Sequence, residues 1–507
     1  MNTDRTMNTN ATDDRTRFPD PVYKDTVLAP LFDHARDDHA EGFRRIDRAH
    51  LVMLEKTGIL QRDVAGRIAR ALVEIDETVD PAQLEYTGEV EDYFFLREAE
   101  LKARVGADTG GRLHTARSRN DIDHTLFKMA LKARLAALLD EARALLSAMI
   151  DTAEREAETL IVAYTHGQPA QPTTFGHYLG AAIEVLIRDI ERLEAAHAVA
   201  DLSSMGAAAI TTSGFPVDRA LVAELLGFGA PQRNSYSCIA AVDYTTGAYA
   251  AVELLFLHLG RLIQDFQVWS SFEVAQIYVP NAFVQISSIM PQKRNPVPIE
   301  HMRHLSSQAM GKARMMKDIM HNTPFTDMND SEGESQQAGY GAFETGSRVL
   351  RLLAAFVPAL KINPDRVAAN IDRACITITE LADTLVRHEG LSFRQAHEIA
   401  AATAKAVVAE GASLSAGFTP FAAAFREATD RETTMDEAGF AEAVSPEYFV
   451  AVRDRFGGPA PVAMAEAITA YRAVLSRFED TARARHAQET RAAEALDAAF
   501  NALTEAC

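Results

Sequence analysis

Between Asn120 and His166 the chain has neither glycine nor proline, and Leu131, Leu135, Leu138, Ala142, Leu145 and Met149 recur at steps of four and three. That spacing keeps one apolar side chain on the same face at each turn. It predicts a helix of about 40 residues, roughly 60 Å long at 1.5 Å per residue. The seam returns in Leu179, Ile183, Leu186, Ile190 and Leu193, and again in Val252, Leu255, Leu259, Leu262, Phe266 and Trp269. Several long helices with matching seams predict an all-α bundle. Seams so long and alanine-rich carry more apolar face than one chain can cover, so they also predict a homo-oligomer.

On either side of this region the pattern is shorter and more often interrupted. Gly58, Gly106, Gly110 and Gly111 break it before Arg119, and Gly390, Gly411, Gly417, Gly457 and Gly458 break it after Lys361. The division is therefore a flexible polar start (1–20), an N-terminal helical domain (21–118), a central long-helix domain (119–362) and a C-terminal helical domain (363–507). Strand-like alternation is scarce, with Ala207–Asp218 as one short candidate. The 24% charged and 47% hydrophobic residues are the balance of a water-soluble globular protein. A net charge of −20 argues against nucleic acid or an anionic membrane as partner. No apolar run approaches the roughly 18 residues of a bilayer span and no secretory h-region opens the chain, so a cytoplasmic location is expected. The 3 cysteines, Cys238, Cys375 and Cys507, are widely spaced and indicate neither a disulfide framework nor a zinc knuckle.

Three polar stretches interrupt the seams. Gly111–Thr125 (GRLHTARSRNDIDHT) gathers Arg112, Arg117 and Arg119 in an otherwise acidic chain, with Ser118, Asn120 and Asp121 where the long helix begins. It reads either as a capping segment with solvated arginines or as an anion site at a helix N-terminus. Tyr164–Tyr178 (YTHGQPAQPTTFGHY) places Thr165, His166, Gln168, Gln171 and His177 in an inter-helix turn fixed by Pro169 and Pro172. Gln285–Pro296 (QISSIMPQKRNP) carries two serines, Lys293, Arg294 and Asn295, and is followed closely by Glu300 and His301. Arginine, lysine and asparagine suit carboxylates, and a glutamate-imidazole pair tunes a proton donor. The chain lacks GxxxxGK[ST], GxSxG and HExxH patterns. The inventory fits a metal-free site for a small polyanion, with proton transfer and elimination as its chemistry.

SSIMPQKRNP resembles the signature loop of the aspartase/fumarase superfamily, and GGRLHTARSRND with YTHGQPAQPTTFGHY resembles its argininosuccinate lyase branch. RNSYSCIAAVDY (Arg233–Tyr244) and WSSFE (Trp269–Glu273) extend the likeness. The resemblance implies a homotetramer with a twenty-helix core, each active site drawing on three subunits, and cleavage of a carbon-nitrogen bond to give fumarate and an amine without a cofactor. It further implies Ser287 as general base, Lys293 and Asn295 as stabilisers of the aci-carboxylate, and His166 paired with Glu300 for proton delivery to the leaving nitrogen. Arg119, Asn120 and Thr165 would hold the succinyl carboxylates, with Ser118, Gln168, Ser288 and Met290 also among the substrate-binding residues.

Several positions depart from the family. Ile286 stands where a glycine usually precedes the serine pair. Asp327, Glu332 and Ser335 occupy the places of a tyrosine, a glutamine and a lysine that hold the amino acid part of argininosuccinate, and Asp47 replaces a substrate-binding serine. Added acid and a lost lysine disfavour a carboxylate on the amine and favour a cation. In this the chain is similar to the ethylenediamine-N,N'-disuccinate (EDDS) lyases, and the expected substrate is an aminopolycarboxylate, with argininosuccinate as the alternative.

Overall fold

A computed structural model describes residues 18–505; most of the expected flexible start lies outside the described residues. Helices α1 (Ala29–Lys56), α2 (Arg62–Thr78) and α3 (Tyr93–Val105) enclose a core that includes Ile46, Leu51, Ile68, Leu72 and Tyr93. Helix α4 (Arg119–Arg155) then opens the central bundle. The predicted seam from Leu131 to Met149 is fully buried along it.

The helix has 37 residues, close to the roughly 40 expected. It stops at Arg155, and Leu160–Thr165 (β1) and Gln168–Thr174 (β2) form an antiparallel hairpin where a simple inter-helix turn was expected. His166 and Gly167 both have positive φ, 53° and 74°, which is the backbone of a tight two-residue hairpin turn. Pro169 and Pro172 lie inside β2, tolerated because a two-stranded ribbon leaves every strand an edge. The strand candidate at Ala207–Asp218 forms turns instead.

The hairpin leads into α5 (Phe175–Ala200), followed by α6 (Asp243–Trp269). Gly176 lets the chain pass close to α4, since a Cβ there would sit 2.4 Å from the Ala153 carbonyl oxygen. Helix α6 is long and apolar enough by composition to cross a bilayer, but its Val252-to-Trp269 seam is buried in the bundle core with the seams of α4 and α5. A two-residue ribbon, β3 (Gln285–Ile286) with β4 (Arg294–Asn295), closes the third polar stretch. Helices α7 (Val297–Met320) and α8 (Gly333–Phe356) complete the bundle.

After residue 362 the helices shorten, and a separate core forms around Leu381, Leu385, Phe421, Phe425 and Phe440. The last helix, α9 (Pro461–Thr504), breaks that trend with 44 residues. Its Met464 and Ile468 pack on the central core, whereas Leu496, Phe500 and Leu503 pack in the N-terminal core. One helix thereby ties the end of the chain to its beginning.

Candidate active site

The first turn of α4 and the segment after α7 face each other across a cleft of about 430 Å³. The Ser118 backbone N–H donates to Asp121 Oδ1 at 2.8 Å, and Asp121 Oδ2 accepts from Gly206 and Ala208 N–H, each at 2.9 Å. Asp121 thus ties the helix start to a neighbouring turn. Burial pushes its carboxyl up to about 7, even though all three backbone donors favour the charged form. Arg119 and Asn120 follow from this anchor and line the cleft.

Neither of those two side chains is free. Arg119 pairs with Asp92 at 2.6 Å and Glu91 at 2.9 Å, and lies over the Phe95 ring. Asn120 Nδ2 donates to Asp327 Oδ2 at 2.8 Å, while its Oδ1 accepts from Ser118 Oγ at 3.1 Å. Glu332 and Asp123 line the same cleft. Burial first, then the negative charge of Asp327, raises Glu332 to about 7. Burial also lifts Asp123 well above the ordinary carboxylate range, reinforced by Glu332 and Asp92. Against these acids the cleft presents a single arginine, already paired.

The other two stretches lie elsewhere in the chain. Thr165, His166 and Gln168 are exposed at the hairpin tip, beyond the far end of α4. Helix α4 has 37 residues, which sets its two ends about 55 Å apart at 1.5 Å per residue, with Arg119 at one end and the hairpin following the other. The loop between β3 and β4 precedes α7, whereas Asp327 follows it, and the 24 residues of α7 span about 36 Å. Ser288, Met290 and Lys293 are exposed on that loop, and Asn295 is half-buried in β4. Arg294 holds the loop's base through the Val279 carbonyl at 2.9 Å and Asn281 Oδ1 at 2.8 Å, and lies over the Tyr278 ring.

Within the loop the chain turns back on Ser287. Its Oγ accepts from the Met290 N–H at 3.0 Å and the Ile289 N–H at 3.4 Å. Such donors favour negative charge on that oxygen. The pairing of His166 with Glu300 is not formed within the chain: one side chain stands at the hairpin tip, the other in the first turn of α7, and both are exposed.

Asp47 is the other expected residue with a different surrounding. Its carboxylate is buried and taken up by Arg117 at 2.8 Å and Arg97 at 3.0 Å. Burial alone would raise it, but the two guanidiniums hold it below its ordinary value. Asp47 therefore belongs to an internal ion cluster and does not line the cleft. Conversely, Asp92, Asp123 and His124 were not singled out from the sequence. For Asp123 a signal was present: it lies three residues beyond Asn120, on the same helical face.

The lyase family profile matches residues 54–311, and a profile described as argininosuccinate lyase C-terminal matches residues 375–451. Argininosuccinate lyase 2 of Agrobacterium fabrum is 67% identical over 494 residues, covering 97% of this chain and 98% of that protein. Argininosuccinate lyase of Methanoculleus marisnigri is 35% identical, covering 85% of this chain and 87% of its own. Among solved structures, EDDS lyase in complex with formate superposes with a TM-score of 0.82 at 27% identity, covering 94% of this chain and 96% of that chain.

Proposed function

The chain belongs to the argininosuccinate lyase branch of the aspartase/fumarase superfamily and is a carbon-nitrogen lyase; from that premise we propose that it reversibly releases fumarate from an N-substituted L-aspartate by proton abstraction at Ser287. The observation that carries this reading is the Ser287 oxygen held by two backbone N–H groups. A serine hydroxyl is a poor base, and an environment that stabilises its oxyanion is what makes it one. The Ser287 oxyanion takes the proton from the carbon beside the carboxylate, and the electron pair moves onto that carboxylate, where Lys293 and Asn295 meet the charge. Collapse of the aci-carboxylate forms the carbon-carbon double bond and breaks the carbon-nitrogen bond. The nitrogen leaves with the bonding pair of the broken carbon-nitrogen bond and takes a proton delivered by His166, tuned by Glu300.

Arg119, Asn120 and Thr165 hold the succinyl carboxylates, with Ser118, Gln168, Ser288 and Met290 around them. The lengths of α4 and α7 support a site assembled from several copies of the chain, in a cytoplasmic homotetramer. The preferred substrate is an aminopolycarboxylate such as EDDS, which yields N-(2-aminoethyl)aspartate and then ethylenediamine. Supporting this are the acids Asp327, Glu332 and Asp123, which favour a second ammonium nitrogen on the amine product, as N-(2-aminoethyl)aspartate and ethylenediamine both carry. The second reading is argininosuccinate cleavage, favoured by the name of the relative at 67% identity.

Fumarate absorbance decides the chemistry: EDDS or argininosuccinate should release fumarate, and Ser287→Ala should lower kcat at least about 100-fold, as loss of a general base does. An unimpaired Ser287→Ala enzyme would remove that residue from the mechanism. Adduct formation from fumarate with ethylenediamine or with arginine decides the substrate, and reaction with arginine alone would select the second reading.

A further inference from the structure

We propose that Asp123, together with Glu332, forms a subsite for a second ammonium group on the amine product, and so selects diamines over monoamines; the proposal rests on the fumarate-releasing reading above. Asp123 lies three positions after Asn120 and four after Arg119, so all three side chains share one face of α4. All three line the cleft. Asp123 has no hydrogen-bond or ion-pair partner among the described residues. Its neighbours are Glu332, Asp92 and Asp327, all acids, and the nearby Arg119 is already engaged by Asp92 and Glu91.

A second observation points into the same cluster. His124 is fully buried, and its Nε2 makes no hydrogen bond while standing 3.6 Å from Asp327 Oδ1, itself without a hydrogen-bond partner. His34 and His39 line the cleft and are buried, each with an Nε2 that lacks a partner. Burial holds all three imidazoles below their ordinary pKa, so they bring no positive charge to offset the acids. Acids without compensating cations, in a cleft roomy enough for a small ligand, call for a ligand that brings its own positive charge. Asn120 already donates to Asp327, which leaves Asp123 and Glu332 to receive the second cation. A monoamine has no group to place there, whereas N-(2-aminoethyl)aspartate and ethylenediamine each carry a second ammonium nitrogen.

The test compares fumarate addition to ethylenediamine and to methylamine. In the wild type, kcat/KM favours ethylenediamine. In Asp123→Asn that preference should fall about 10- to 100-fold, the range for one charge-assisted hydrogen bond. Competitive inhibition by succinate should stay within threefold, because the succinyl half is untouched. Equal losses with both amines, or a lost oligomer in place of lost selectivity, would show that Asp123 serves structure and would overturn the proposal. Asp123→Glu, which restores the charge, should recover part of the preference, and failure to do so counts against it. If no amine reacts with fumarate and no succinylated amine releases it, the lyase substrate reading fails. The subsite is then judged by calorimetry with ethylenediamine: no binding, or equal binding by wild type and Asp123→Asn, overturns it.

Discussion

Asp121 offers the sharpest test of how the cleft is built. One buried carboxylate satisfies three backbone donors, Ser118 on one oxygen and Gly206 with Ala208 on the other. In Asp121→Asn the amide keeps one acceptor oxygen and turns an NH₂ toward the remaining donors. At best the oxygen retains Gly206 and Ala208, and the Ser118 N–H then faces another donor. A buried donor left unpaired costs about 1–3 kcal/mol, so the substitution should destabilise by about 2 kcal/mol. Asp121→Ala abandons all three donors and should cost about 5 kcal/mol on the same scale. Urea unfolding of the two variants against wild type measures both numbers. The helix start also carries Arg119 and Asn120, so KM should rise in Asp121→Asn even where the protein remains folded. An alanine variant that loses less than about 1 kcal/mol would refute the anchoring role, because that is no more than a single surface contact is worth.

Removing Asp47 leaves Arg117 buried without its counter-charge and Arg97 with only Asp76, at 3.9 Å, so Asp47→Asn should lose about 3–5 kcal/mol in urea unfolding with KM unchanged; a stable variant with raised KM would return Asp47 to substrate binding. Glu332 is raised to about 7 in the folded chain, so its contribution to stability is full below its ordinary value of 4.5 and is lost as pH rises through about 7. Thermal unfolding without substrate should therefore lose more between pH 5 and pH 8 in the wild type than in Glu332→Gln, and identical slopes would contradict the assignment. Mixing separately inactive Asn120→Ala and Ser287→Ala chains, with subunit exchange, should restore activity toward about a quarter of wild type if the two residues reach each site from different copies in a symmetric oligomer. A mixture as inactive as its components would place both residues on one chain's site.

The bundle was legible because its determinants repeat: each seam gives the same signal at every turn, and those of α4, α5 and α6 are buried as the spacing requires. The hairpin was not. Its Leu160–Thr165 strand is a short apolar run without glycine, proline or clean alternation, continuous with a strongly helical pattern. Only the positive φ at His166 and Gly167 shows where the chain reverses. Helix α9 escaped notice for the opposite reason, being largely exposed, with its buried positions divided between two distant cores. The three chemical stretches were recognisable from residue type, but the environment of Asp47 was not. Its partners come from 50 and 70 residues away, a separation that local pattern cannot report.

The charges of the cleft also bear on how a polyanionic substrate is held in a chain of net charge −20. Arg119 is the proposed carboxylate ligand, yet two acids already occupy it. An incoming carboxylate must displace Asp92 or Glu91 from the guanidinium, or share it with them, and so gains less than it would from a free arginine. Lys293 is exposed, does not line this cleft and has no pairing partner among the described residues, so it costs nothing to free. Under the shared-site reading, another copy's loop supplies that lysine together with the Ser287 base. Tight carboxylate binding and the means of deprotonation then arrive in one step, so a substrate held by Arg119 alone is weakly bound and unreactive. This division predicts that Lys293→Ala raises KM as well as lowering kcat, whereas Arg119→Lys, which keeps its charge among the same acids, changes KM by a smaller factor.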